Sequence, residues 1–361
     1  MCKGRYHVPT SWKRSILFAS GLAVLASVSC MGNGPAPTPP GPPDSGPGAL
    51  GTIANDVRTT TVGTGGQEIF IYEPQGTSVT TAPVIVFLHG YTGVNPLLYG
   101  GWIKHLVQRG NIVLFPVYQD TLRQPEQYTA DALAAVQNAY AVLRAGDHIQ
   151  PDDTKLALVG HSLGGVIAMN LAAIAHTQGL PRVGALLAAN AGDTTSATLP
   201  IPSIEDGDYD QIPAEMLFLG VVGADDTRVG NDIVVGLYES IPQIPSANRE
   251  VLELQSDDHG APALQANHRA PLALDLAFDS GGTIVLLPGG GTLRPEQLGV
   301  DFGVIDAFDY YGYWKWLDAL TDAAFNGVNR QYALGNTPEQ TYLGTWSDGR
   351  TVKPAARIQP P

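Results

Sequence analysis

Apolar residues along this chain fall into short continuous runs separated by stretches with helical spacing. Gln67 to Glu73 (QEIFIYE) reads as a strand, and Pro83 to Leu88 (PVIVFL) as a strand buried on both faces. Leu97 to Arg109 has a helical pattern, and Asn111 to Val117 is the next buried strand. Gln127 to Ala145 is an amphipathic helix with Leu133, Val136, Tyr140 and Leu143 on one face, stopped at Gly146. Lys155 to Gly160, Arg182 to Ala189, Glu215 to Val222 and Arg249 to Leu254 follow as strands. A small-residue helix runs from Val166 to about His176, and an aromatic-rich helix from Ile305 to Phe325. Strands alternating with helices predict the α/β class, with a mostly parallel central sheet covered by helices on both faces. No internal repeat interrupts this order.

The N-terminus follows a different pattern. Residues 1–14 are basic and polar, and residues 15–29 are apolar, small and serine-containing. That run is too short for a membrane span and reads as the core of a secretory signal peptide, residues 1–29. Ser27-Val28-Ser29-Cys30 resembles the bacterial lipoprotein cleavage motif, with Ser27 where an aliphatic residue is usual. The resemblance implies lipidation of Cys30 and a cell-envelope location; cleavage without lipid gives a secreted protein. Residues 30–51 form a Pro/Gly-rich linker, expected to be a disordered, extended tether. Residues 52–361 are left as one catalytic domain.

Charge and cysteine content narrow the function. Net charge is −14, and the basic residues Lys3, Arg5, Lys13 and Arg14 all lie in the leader, so the body is more acidic still. Such a body repels nucleic acid and anionic membranes and argues for neutral or cationic substrates. The two cysteines, Cys2 and Cys30, lie outside the body, which therefore has no disulfide and no cysteine metal site.

The chemistry centres on Leu156 to Gly165 (LALVGHSLGG). A strand runs into Gly160-His161-Ser162-Leu163-Gly164 and a helix follows, the context that exposes a serine as nucleophile. A serine hydroxyl needs a base, an acid to orient the base, and donors for the oxyanion. His259, in the loop after the strand 249–254, is the first choice of base, and His268 is its competitor. Asp226, at the end of the strand that closes on Val222, is the first choice of acid, with Asp225 and Asp193 as alternatives. The backbone N–H groups of Leu163 and Tyr91 are the expected oxyanion donors, with the Tyr91 ring as a wall of the acyl pocket. His89 and His161 read as structural. Gly289-Gly290-Gly291 lacks the Lys-Ser/Thr of a phosphate loop, and Asp206 to Asp210 lacks the glycine and glutamate of a calcium loop. No metal ligand set is identified.

With these motifs the chain resembles the α/β-hydrolases from about residue 65 to 325. His89-Gly90-Tyr91-Thr92-Gly93, Gly160 to Gly165, Asp225-Asp226-Thr227 and Asp257-Asp258-His259-Gly260 are similar to secreted cutinase-like polyester hydrolases, chlorophyllase-like esterases and dienelactone-hydrolase-like lipases. The chain departs from the polyester hydrolases in lacking a C-terminal disulfide and in its long segment after His259. The resemblance implies an exported serine hydrolase using Ser162, His259 and Asp226 on a small-molecule, lipid or polymeric ester, without cofactor. It implies no nucleic-acid partner, and membrane contact only through a lipid on Cys30. The alternatives are a peptidase or amidase on the same fold, and a surface binding protein that keeps the fold without turnover.

Overall fold

The structure, a computed structural model, describes residues 35–120, 122–192, 206–281, 284–285, 292–293 and 303–359. The signal peptide, Cys30, Asp193 and Gly289-Gly290-Gly291 lie outside the described residues. Two units divide the chain, Met1–Ala36 and Pro37–Pro361. The second contains every element below.

Nine strands form one sheet: β1 (Asp56–Val62), β2 (Glu68–Gln75), β3 (Thr81–Leu88), β4 (Ile112–Val117), β5 (Gln150–His161), β6 (Val183–Ala189), β7 (Leu217–Gly223), β8 (Arg249–Leu254) and β9 (Ala356–Ile358). Their order is β1-β2-β4-β3-β5-β6-β7-β8-β9. All neighbours from β4 to β8 pair in parallel, and β1, β2 and β9 add antiparallel margins. Parallel pairing requires long crossovers, and here these carry the helices α1 (Gly100–Gln108), α2 (Tyr128–Arg144), α3 (Leu163–Ile174) and α4 (Asp232–Glu239). Helices α5 (Trp314–Asn326) and α6 (Pro338–Thr341) follow β8.

Alternation along the strands sorts the core into two layers. Ile85 and Phe87 of β3 face α1 and α5, whereas Val84, Val86 and Leu88 face α2 and α3. On the first side Phe87 meets the Trp102 ring edge-on at 5.2 Å and the Tyr99 ring at 4.9 Å. Both faces of β3 are therefore covered, as its unbroken apolar run requires. The helix expected over Ile305 to Phe325 is divided: Asp309–Tyr313 is a π-helical turn, and Gly312 inside it departs from helical geometry before α5 begins.

The Pro/Gly-rich stretch differs from a free tether from Pro37 onward. The Pro37 carbonyl accepts the Ala261 N–H at 2.8 Å, the Thr38 carbonyl accepts the Ser347 N–H at 3.1 Å, and the Gly48 N–H reaches Asp318 Oδ2 at 2.8 Å. An extended proline-rich backbone has no internal hydrogen bonds, so its polar groups are available to the surface they cross.

Candidate active site

Ser162 sits between β5 and α3 with φ 54° and ψ −125°. A non-glycine residue with positive φ is strained by about 1–3 kcal/mol, and the turn holds it there. The Ser162 N–H is bonded to the Ala189 carbonyl at 3.0 Å, and the Ser162 carbonyl accepts the N–H groups of Gly165 and Gly192. The turn is tight enough to require its glycines. A Cβ at Gly160 would stand 2.1 Å from the Gly164 carbonyl oxygen, and one at Gly164 would stand 2.1 Å from that of Leu88. The glycine spacing read in the sequence is thus the imprint of β5, α3 and β3 meeting at one point.

Ser162 Oγ lies 3.0 Å from His268 Nε2, and His268 Nδ1 lies 2.7 Å from Asp226 Oδ2. A carboxylate can only accept, so Nδ1–H donates to Asp226 and Nε2 is left to accept the serine proton. The other Asp226 oxygen accepts the N–H groups of Arg228 at 2.9 Å and Val229 at 3.3 Å. Burial pushes the Asp226 carboxyl up. The hydrogen bond and charge of His268, with those two N–H groups, outweigh burial and hold it below the usual carboxylate range.

His259, the base expected from the sequence, is not in this chain of contacts. Its Nε2–H donates to Asp348 Oδ2 at 2.8 Å, and its Nδ1 accepts from Arg350 Nη1 at 2.9 Å. The cause is the path of the loop after β8. Asp257 and Leu264 pair in an antiparallel bridge, which makes His259 part of the turn between them, against the C-terminal segment. The chain then returns to the sheet, where Ala266 accepts the Asp225 N–H and Asn267 accepts from Asn190 Nδ2, both at 3.0 Å. His268 follows directly. Asp225 points to this loop through Ser256 Oγ, so the two adjacent aspartates have different partners.

The expected oxyanion loop follows β3. The Gly90 N–H donates to Tyr99 Oη at 2.9 Å, the Thr92 N–H to Gln119 at 2.7 Å, and the Gly93 N–H to the Gly90 carbonyl at 2.8 Å. Among the described residues, the Tyr91 N–H is the one amide of Gly90 to Gly93 not taken by a protein acceptor. Leu163 opens α3, where the first N–H groups have no intrahelical acceptor and the helix dipole is positive. His89 is fully buried, its ring stacked on Tyr118 at 4.1 Å, with Nδ1 2.7 Å from the Gly90 carbonyl. Burial pushes its pKa down to about 4, which suits a neutral packing residue.

Beside His268 opens a polar recess of about 190 Å³ lined by Asp225, Thr227, Arg228, Asn267 and Arg269. The mouth thus carries two cations on an otherwise acidic body. Among the described residues, no group of three or more His, Cys, Asp or Glu side chains could hold a metal ion.

A nine-stranded, mostly parallel sheet with a serine at the β5–α3 turn is the architecture of an α/β-hydrolase. Residues 47–204 match the chlorophyllase family, a family of α/β-hydrolases, and the match implies an esterase-type hydrolase. No curated protein sequence matches the chain at a significant level. The family match spans Tyr91, Ser162 and Leu163 and ends before Asp226 and His268.

Proposed function

We propose that this protein hydrolyses carboxylic esters through Ser162, with His268 as base and Asp226 as its orienting acid. The observation that carries the reading is the unbroken hydrogen-bonded chain from Ser162 Oγ through His268 to Asp226, at 3.0 and 2.7 Å. Ser162 Oγ attacks the ester carbonyl as its proton passes to His268 Nε2. The tetrahedral oxyanion is met by the N–H groups of Tyr91 and Leu163. His268 gives its proton to the leaving alcohol oxygen and an acyl-enzyme remains. Water, deprotonated by His268, then releases the acid and restores Ser162. The Tyr91 ring is proposed as a wall of the acyl pocket.

The test is an acyl-length panel of p-nitrophenyl esters with Ser162→Ala as control. Turnover on at least one ester that falls at least about 10⁴-fold in the variant is expected. Cleavage of peptides with no cleavage of any ester would favour the amidase reading, and equal turnover in the variant would refute the mechanism. We further propose that the enzyme is exported and lipidated at Cys30, on the basic–apolar–cysteine order of the leader. The mass of the mature N-terminus tests this: a diacylglyceryl Cys30 is expected, and a bare or missing Cys30 contradicts it.

A further inference from the structure

A second line of hydrogen bonds runs behind the serine and joins the two loops that serve it. Tyr99 precedes α1, and its Oη lies 2.9 Å from the Gly90 nitrogen and 2.8 Å from His161 Nδ1. His161 Nε2 lies 2.9 Å from the His268 carbonyl oxygen. Tyr99 and His161 are both buried. Burial, with the charge of His268 second, pushes the His161 pKa down to about 3, so the ring is neutral.

The proton positions follow from what each group can do. A carbonyl only accepts, so His161 Nε2 carries the proton and donates to His268. A neutral imidazole then leaves Nδ1 as an acceptor, and Tyr99 must donate to it. Tyr99 Oη in turn accepts the Gly90 N–H. The line therefore has a single direction, from Gly90 through Tyr99 and His161 to the His268 main chain. Gly90 immediately precedes Tyr91 and backs onto the nucleophile: a Cβ on Gly90 would lie 3.2 Å from Ser162 Cβ. The main chain one residue earlier is held separately, by Asn190 on the Asn267 carbonyl.

We propose that Tyr99 and His161 are positioning residues that fix the distance between the oxyanion loop and the base. His268 sits on a long loop after β8, and its imidazole is useful only if its main chain stays registered to Ser162. The Tyr91 N–H is useful only if Gly90 stays in place behind the same serine. One buried strut sets both. It touches no substrate atom, so its loss lowers the rate of the chemical step and leaves ester binding unchanged. This inference rests on the hydrolase reading above.

The test compares Tyr99→Phe, His161→Leu and His161→Gln on one p-nitrophenyl ester. A glutamine amide offers an acceptor and a donor at a spacing close to that of the imidazole nitrogens, whereas leucine offers neither. Tyr99→Phe is expected to lower kcat about tenfold and His161→Leu about thirtyfold or more, with KM within about twofold of wild type. His161→Gln is expected to recover most of that loss. Equal kcat in the Leu and Gln variants, or a rise in KM with kcat unchanged, would overturn the proposal. If His161→Leu does not fold, Tyr99→Phe decides, since it removes a single oxygen. Nitrogen-15 NMR of the His161 ring in the wild-type protein reads the strut without turnover. A protonated Nε2 with a bare Nδ1 is expected, and the opposite tautomer would overturn the strut. Absence of wild-type ester hydrolysis together with the expected tautomer would refute the hydrolase reading and leave the strut standing.

Discussion

His268→Ala is expected to lower kcat on a p-nitrophenyl ester by about 10⁴-fold or more, while His259→Ala leaves it within about twofold. The first substitution removes the only side chain bonded to Ser162 Oγ among the described residues, so the serine proton has nowhere to go as attack begins. The second removes a ring held between Asp348 and Arg350, 89 and 91 residues further along the chain, with no bond to Ser162 or Asp226. Steady-state kinetics on the two purified variants decides between them. Loss of activity in His259→Ala with retention in His268→Ala would return the base to the position that the sequence favoured.

Asp226→Asn is expected to cost kcat about 10⁴-fold, against about threefold for Asp225→Asn. An asparagine at 226 can present its amide N–H to His268 Nδ1. That favours the tautomer with the proton on Nε2, where it cannot accept the serine proton. It also removes the charge that stabilises the imidazolium formed during attack. Asp225 bonds Ser256 Oγ and lies outside that line, and asparagine can still accept from the serine hydroxyl. Kinetics on the two variants, each checked for an unchanged melting temperature, tests the assignment. A larger loss at 225 than at 226 would move the acid to Asp225.

Legibility in the sequence followed how local each feature is. The Ser162 turn is written in glycines because backbone contacts there exclude a Cβ: the Gly160–Gly164 contact lies inside the motif, and the contact with Leu88 of β3 leaves its mark at Gly164. The proposed acid, Asp226, was legible as the end of β7, since a strand end and the turn after it are adjacent in sequence. The proposed base, His268, was legible only as the second choice. Two histidines follow β8, and the choice between them is made by the Asp257–Leu264 bridge and by contacts with residues near 346–350. Asp257-Asp258-His259-Gly260 looks like a catalytic loop, but no local pattern reports that the chain turns back after it. Among the elements, the central strands showed as apolar runs. The edge strands β1 and β9 did not, being half exposed and partly polar, and the short helix α4 also passed unread. Pro37 to Gly48 was unreadable for a related reason: it is held through single backbone bonds, which leave no periodic trace in side chains.

Ser162 is proposed to be a nucleophile activated by His268. Intact-mass measurement after exposure to a fluorophosphonate tests it most directly, because the reagent reports the activated serine whatever the natural ester is. One phosphonyl adduct, mapped to Ser162, is expected, forming at the wild-type rate in His259→Ala and not forming in Ser162→Ala or His268→Ala. An adduct on another residue, or labelling of Ser162 undiminished in His268→Ala, would contradict it.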